Sequence, residues 1–183
     1  MNIEKLKFKA EKGNLKAIRE LEKESPWNHY YKFNNNIETI EKQDFLVSDG
    51  SNIKKWERIK KIISYKDFEN KSILDIGCSD GYFSYMTSKY AKKVTGIDLD
   101  ASRIKKANFI KSYFKMKNCS FEAKDINFFK EEKFDLGLLL GLIHRLPDPI
   151  SFLQKASEIC NEFIIEYKYY KSNRDVAYYG NAQ

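Results

Sequence analysis

From residue 72 onward the apolar positions of this chain fall into short runs, most of them followed by a longer stretch in which they recur at helical spacing. Ile73, Leu74 and Ile76 form such a run, of the kind a parallel strand shows when helices cover both its faces. The pattern predicts strands at 72–76, 93–98, 119–123, 134–140 and 162–168, with helices at 80–90, 102–115 and 149–159. Strand and helix alternating at this spacing imply an α/β chain with a doubly wound, mainly parallel sheet.

Residues 1–70 read differently. Two short amphipathic helices, 3–10 and 14–23, are split at Gly13, and Pro26 ends them. The segments 29–33 and 37–40, separated by three asparagines, suggest a β-hairpin. Residues 51–64 read as a helix that buries Ile53, Trp56, Ile59, Ile62 and Ile63. The chain therefore divides into a helical and hairpin extension, 1–70, that faces substrate, and a ligand-binding domain, 71–183.

The turn after the first strand carries the candidate chemistry. Gly77 and Gly81 allow positive φ and let a ligand approach the backbone, while Asp80 can cap the helix that follows. Ligands of open α/β sheets bind at the carboxyl ends of the strands, where the strand order reverses. A dinucleotide site wants G-x-G-x-x-G, but here Tyr82, Phe83 and Ser84 follow Gly81, which argues against nicotinamide and flavin cofactors.

The run Asp75-Ile76-Gly77-Cys78-Ser79-Asp80-Gly81 resembles the acid-x-Gly-x-Gly-x-Gly loop of class I S-adenosylmethionine (SAM) methyltransferases, with Ser79 in place of the middle glycine. That resemblance implies a Rossmann-like fold with SAM as cofactor. It places Asp75 and the backbone of Gly77, Cys78, Ser79 and Gly81 against the methionine moiety, and Asp98 on the two ribose hydroxyls. Leu99 would pack on the adenine and Asp125 would lie near its exocyclic amine, with Ile126 and Gly141 completing the cofactor contacts. The plainer alternative for Asp98 and Asp125 is a strand-end acid capping the next helix.

Three stretches narrow the resemblance: Lys55-Trp56-Glu57-Arg58, ILDIGCSDGY and GLIHRLPDPISFL. Together they are most similar to the enzymes that alkylate the 5-hydroxyl of the wobble uridine in tRNA. Some of those use carboxy-SAM, for whose extra carboxylate Lys54, Lys55 or Arg58 is a candidate partner. His144, in the segment that resembles the family's fourth motif, is the candidate general base, since its unperturbed pKa lies near neutrality. The alternative is that it only packs at the strand end. His29, among Trp27, Tyr30 and Tyr31, belongs to a candidate cap whose aromatics either stack on a planar acceptor or pack in the core.

Composition adds two points. The net charge of +7 is concentrated between residues 71 and 130, where 12 Lys/Arg face 6 Asp/Glu. Lys105, Lys106, Lys111, Lys115 and Lys117 flank one helix there, either as a phosphate-binding face or as an ordinary solvated one. Neither a secretory signal nor an apolar run long enough to span a bilayer is present in the sequence, so the expected location is cytoplasmic, without membrane contact. Cys78, Cys119 and Cys160 are too scattered for a disulfide framework or a zinc site and read as buried thiols.

After the fifth strand too few residues remain for the antiparallel hairpin that normally completes this sheet, so the fold is expected to be shortened. Either an apolar edge strand then pairs with a second copy or a partner, or it is covered by the N-terminal segment, or the chain is a fragment of a longer polypeptide. Two readings of function follow. One is a SAM-dependent methyltransferase acting on RNA or a small polar metabolite; the other is a catalytically silent SAM-fold module of a larger modifying complex.

Overall fold

Ile73 and Leu74 are both fully buried although they point to opposite faces of their strand, which requires a layer of structure on each side. The computed structural model, which describes residues 15–33, 37–39, 51–129 and 132–167, supplies both layers. Five parallel strands, β1 (Ser72–Ile76), β2 (Lys93–Asp98), β3 (Cys119–Ala123), β4 (Phe134–Leu140) and β5 (Cys160–Glu166), lie in the order β3-β2-β1-β4-β5. The first four occupy the residues that the apolar runs predict. The fifth starts two residues earlier than expected, because Cys160 already pairs with Phe134 and the Phe134 amide donates to Ile159 O at 2.8 Å.

Strand parity sorts the core. Ile73, Val94, Leu136 and Leu138 face one cluster with Trp56, Phe83, Phe109 and Ile110. Leu74, Ile76, Ile97 and Leu139 face the other, with Ile126, Phe129 and Ala156. The helices are α1 (Leu15–Glu22), α2 (Asn52–Ile62), α3 (Tyr82–Ser88), α4 (Ala101–Tyr113) and α5 (Pro149–Ser157). Polar caps start three of them: Ser51 accepts from Lys54 N at α2, Asp100 from Ser102 N at α4, and Asp148 from Ser151 N at α5. Among the described residues no helix is long and apolar enough to cross a membrane.

Several expectations are corrected. Asp80 does not cap α3; Gly81 occupies the N-cap position, and the Asp80 carboxylate turns to residues 28 and 29 instead. Ile62 is 84% exposed, because it lies off the stripe formed by Trp56, Ile59 and Ile63 at the end of α2. The expected hairpin is reduced to one antiparallel bridge, Lys32 to Glu38, flanked by bonds from Phe33 N to Ile37 O (2.8 Å) and from Thr39 N to Tyr31 O (3.1 Å). The helix expected at 3–10, the asparagine turn and the segment after residue 167 lie outside the described residues. The three cysteines are buried thiols.

The largest surprise is α4. Lys106, expected on a solvated or phosphate-binding face, is 1% exposed. Its ammonium donates to Ser25 O, to Ser25 Oγ at 2.6 Å and to Pro26 O at 3.0 Å, and lies over the Trp27 ring. Lys105 beside it pairs with Glu24. Two of the five lysines therefore tie the N-terminal segment to α4, and Trp27 and Phe33 pack edge-on against Phe109 in the same seam. These aromatics are core. Lys106→Met would leave the Ser25 and Pro26 carbonyls without their donor, and urea unfolding should report a loss on the order of 1–3 kcal/mol.

Candidate active site

The strand order reverses between β1 and β4, and a cleft of about 630 Å³ opens at the carboxyl ends of the strands beside that point. Its floor is the turn after β1. Gly77, Ser79 and Gly81 all have positive φ, 73°, 54° and 82°, so the turn winds through the left-handed region three times. Ser79, standing where the motif has a glycine, takes the left-handed conformation too. The wound turn directs its amides to acceptors nearby: Gly77 N and Cys78 N both donate to Ile97 O, and Ser79 N donates to Asp98 Oδ2 at 2.9 Å.

Three acids reach the cleft from successive strands. Asp75, on β1, is 2% exposed and accepts from Ser84 Oγ at 2.6 Å. Burial pushes its pKa up to about 6, although the Ser84 bond and the nearby His29 pull the other way. Asp98 ends β2; besides the Ser79 amide it accepts from Asp100 N at 3.0 Å, so one bond fixes each carboxylate oxygen and leaves lone pairs for a ligand. Asp125 follows β3, lines the cleft and caps the 3-10 turn Ile126–Phe128 through Asn127 N at 2.8 Å. The capping alternative and a place in the cleft thus coexist at this residue.

Leu99, Ile126 and Gly141 line the same cleft, as do Ile97 and Phe152. Leu99 presents 75% of its surface at the rim, an uncommon exposure for leucine. Cys78 and Gly81 belong to the turn but do not line the cleft. Cys78 is buried with its thiol pushed well up by burial, and Gly81 sits beneath Phe121 and Ala107. His144 lies in the exposed 3-10 turn Ile143–Arg145 and does not line the cleft, whereas Gly141, Leu142, Arg145 and Leu146 around it do. Of the three cations considered for a carboxylate partner, Lys55 lines the cleft and is paired with Glu166 at 2.9 Å. Lys54 and Arg58 do not line it.

The other histidine is inside. Asp80, 1% exposed, accepts from Asn28 N at 2.8 Å and His29 N at 3.1 Å through Oδ2, and meets His29 Nδ1 through Oδ1. Burial alone would raise its pKa, but His29 and the two amides hold it below the ordinary carboxylate value. Asn28 and His29 both line the cleft, and Asn28 Nδ2 donates to Ser79 Oγ at 2.8 Å. The N-terminal segment thus supplies one wall. Sequence reasoning placed His29 in a cap but not beside Asp80, since no local spacing connects residues 51 positions apart.

Residues 67–173 match the family model described as "Methyltransferase domain". A tRNA U34 carboxymethyltransferase of Nautilia profundicola is 31% identical over 114 residues, 61% of this chain and 37% of that protein. A ubiquinone biosynthesis O-methyltransferase of Hydrogenovibrio crunogenus is 32% identical over 103 residues, 55% of this chain and 43% of that protein. The chain thus spans less than half the length of either relative. Among solved structures, the N-terminal domain of EvdMO1, crystallised in the presence of SAH and D-fucose, superimposes with a TM-score of 0.61 over 79% of this chain and 60% of that one, at 17% identity. This last likeness is one of fold.

Proposed function

Because the chain belongs to the methyltransferase domain family, we propose that it binds SAM in this cleft and transfers the methyl group to an RNA or a small polar metabolite in the cytoplasm. The observation that carries this reading is the convergence of Asp75, Asp98 and Asp125 from three neighbouring strands on a left-handed glycine turn. SAM carries an ammonium, two ribose hydroxyls and an exocyclic amine, all hydrogen-bond donors, and three carboxylates suit that donor set. Ile97, Leu99 and Ile126 supply apolar surface for a flat ring between them. The residues present therefore fit the cofactor.

Bound SAM supplies an electrophilic methyl on a sulfonium, whose departure as a neutral thioether makes the transfer favourable. The chain's own contribution is to orient donor and acceptor and to exclude water. Asp98, already fixed by two backbone amides, holds its oxygens in place for the ribose hydroxyls without further ordering. Lys55 enters the cleft with its charge matched by Glu166, so ordinary SAM, rather than a form with an additional carboxylate, suits the site. Arg103 and Lys124 at the cleft are paired with Asp100 and Glu122, and Arg145 adds a further cation to the lining, which suits an acceptor carrying phosphate. The tRNA-modifying relatives support the same class. A second copy or partner strand would add at the outer edge of β5, where Ile165 is 43% exposed.

Calorimetric titration with SAM tests the cofactor site. Asp98→Ala should weaken binding on the order of 10- to 100-fold, since at least one charge-assisted hydrogen bond of about 1.5–3 kcal/mol is lost. An unchanged affinity would remove Asp98 from the site and leave the reading without its central contact.

A further inference from the structure

We propose that His29, oriented by Asp80, is the proton acceptor for the methyl acceptor bound in this cleft, a role that rests on the methyl-transfer reading above. The two residues belong to different parts of the chain: Asp80 to the turn after β1, His29 to the segment laid across it.

Asp80 leaves His29 little freedom. One carboxylate oxygen is occupied by the amides of Asn28 and His29, so the other faces the imidazole, and a buried carboxylate held below its ordinary pKa accepts a hydrogen bond from Nδ1. Nδ1 is therefore the ring nitrogen that donates to Asp80. In the neutral imidazole the lone pair is then on Nε2, which makes no hydrogen bond to another described residue. The rings of Tyr82 and Phe83, with centroids 5.7 and 5.5 Å away, fix the imidazole plane. The side chain is 15% exposed, and the residue lines the cleft together with Asp75, Gly77 and Phe83. A carboxylate that fixes one ring nitrogen and leaves the other unbonded, on a residue that lines a ligand cavity, is the arrangement by which an aspartate orients a histidine base.

A methyl acceptor needs such a group. A neutral O–H or N–H nucleophile carries one proton too many once it has gained a methyl. In the step assigned to His29, the acceptor's O–H bond breaks, its electron pair stays on oxygen, the proton forms a bond with Nε2, and the resulting imidazolium later releases it to water. Asp80 touches no reacting atom and is a positioning residue. The acceptor class that follows is a hydroxyl or N–H nucleophile, as opposed to a thiolate or carboxylate, which needs no base.

A rival account makes the pair a clasp that merely pins the N-terminal segment. His29→Asn separates the two. It keeps a side-chain donor near the Nδ1 position and both backbone bonds to Asp80, but has no counterpart of Nε2. Nitrogen-15 NMR of the imidazoles needs neither cofactor nor acceptor, and the chain has only two histidines to assign. The His29 signals should report the Nδ1–H tautomer, and Asp80→Asn should shift them; an Nε2–H tautomer would overturn the proposal. With labelled SAM and total tRNA or a small-molecule extract as the probe, His29→Asn should lower kcat on the order of 100-fold or more. Its SAM affinity should stay within about threefold of the parent. Undiminished turnover would make the pair a clasp only. A parent chain that binds SAM but methylates neither probe would also sink the base role, whereas failure to bind SAM in calorimetry would sink the methyl-transfer reading itself.

Discussion

Replacing Asp75 by asparagine is expected to make the fold more stable at neutral pH while weakening its hold on a cationic ligand. Burial raises the Asp75 pKa from 3.8 to about 6, so the native state keeps a proton that the unfolded chain has already released between those values. Stability from this group therefore falls as pH rises through the window and is lowest above it. A displacement of about two pH units corresponds to about 3 kcal/mol against the native state at pH 7.5. At pH 4.5 most of that cost is gone. Urea unfolding of parent and Asp75→Asn should show a stability difference that narrows by about 2 kcal/mol between pH 7.5 and 4.5. A difference independent of pH would mean that Asp75 is not ionised against its burial. Asp80 does not blur the window, because its lowered pKa places its loss of stabilisation at more acidic pH. The cost has a use in the proposed function: an ammonium docked beside Asp75 offsets the buried charge, so the same substitution that stabilises the empty fold should weaken SAM binding at least tenfold, as expected when a partner of a charge-assisted hydrogen bond is lost.

How much of this was legible before the structure depends on how local the cause is. The apolar runs located β1 to β4 because a strand covered on both faces is mostly apolar, and single polar positions such as Asp75 and Thr95 do not hide that texture. The turn between β1 and α3 was equally readable, since Gly77 and Gly81 answer to backbone conformation alone. The resemblance to the methyltransferase loop implies a place in the cleft for Asp75 and Asp98, and both line it. What failed were side chains whose partners are remote. Lys106 reads as a surface cation because its helix is rich in lysine; acceptors on Ser25 and Pro26, 81 and 80 residues away, make its burial tolerable. The Asp80 carboxylate looks like a helix cap until residues 28 and 29 arrive to claim it. His144 sits in a familiar motif but does not line the cleft, and the histidine that does comes from the segment whose tertiary placement no periodicity encodes.

The sheet itself offers the second large effect. Gly96 of β2 stands opposite Phe121 of β3, and a Cβ on Gly96 would lie 2.6 Å from the ring, with Cys78 Sγ at 3.0 Å behind it. The same ring covers Gly81, where a Cβ would meet it at 2.9 Å. One phenylalanine thus fills the space over two glycines and wedges the ligand turn against the sheet. Gly96→Ala should cost about 2–3 kcal/mol by overpacking, and thermal unfolding of the variant should show it. The obstacle is the ring, so Phe121→Leu combined with Gly96→Ala should be less destabilising than the two changes summed, by about 1 kcal/mol or more; strict additivity would assign the cost elsewhere. Gly137 of β4 stands opposite Phe163 of β5 in the same relation, at 2.6 Å, but that ring lies over no glycine of the ligand turn. Gly137→Ala should therefore lower stability to a similar degree while leaving SAM affinity unchanged, whereas Gly96→Ala should lower both, because the ring it displaces is the one on which the ligand turn rests.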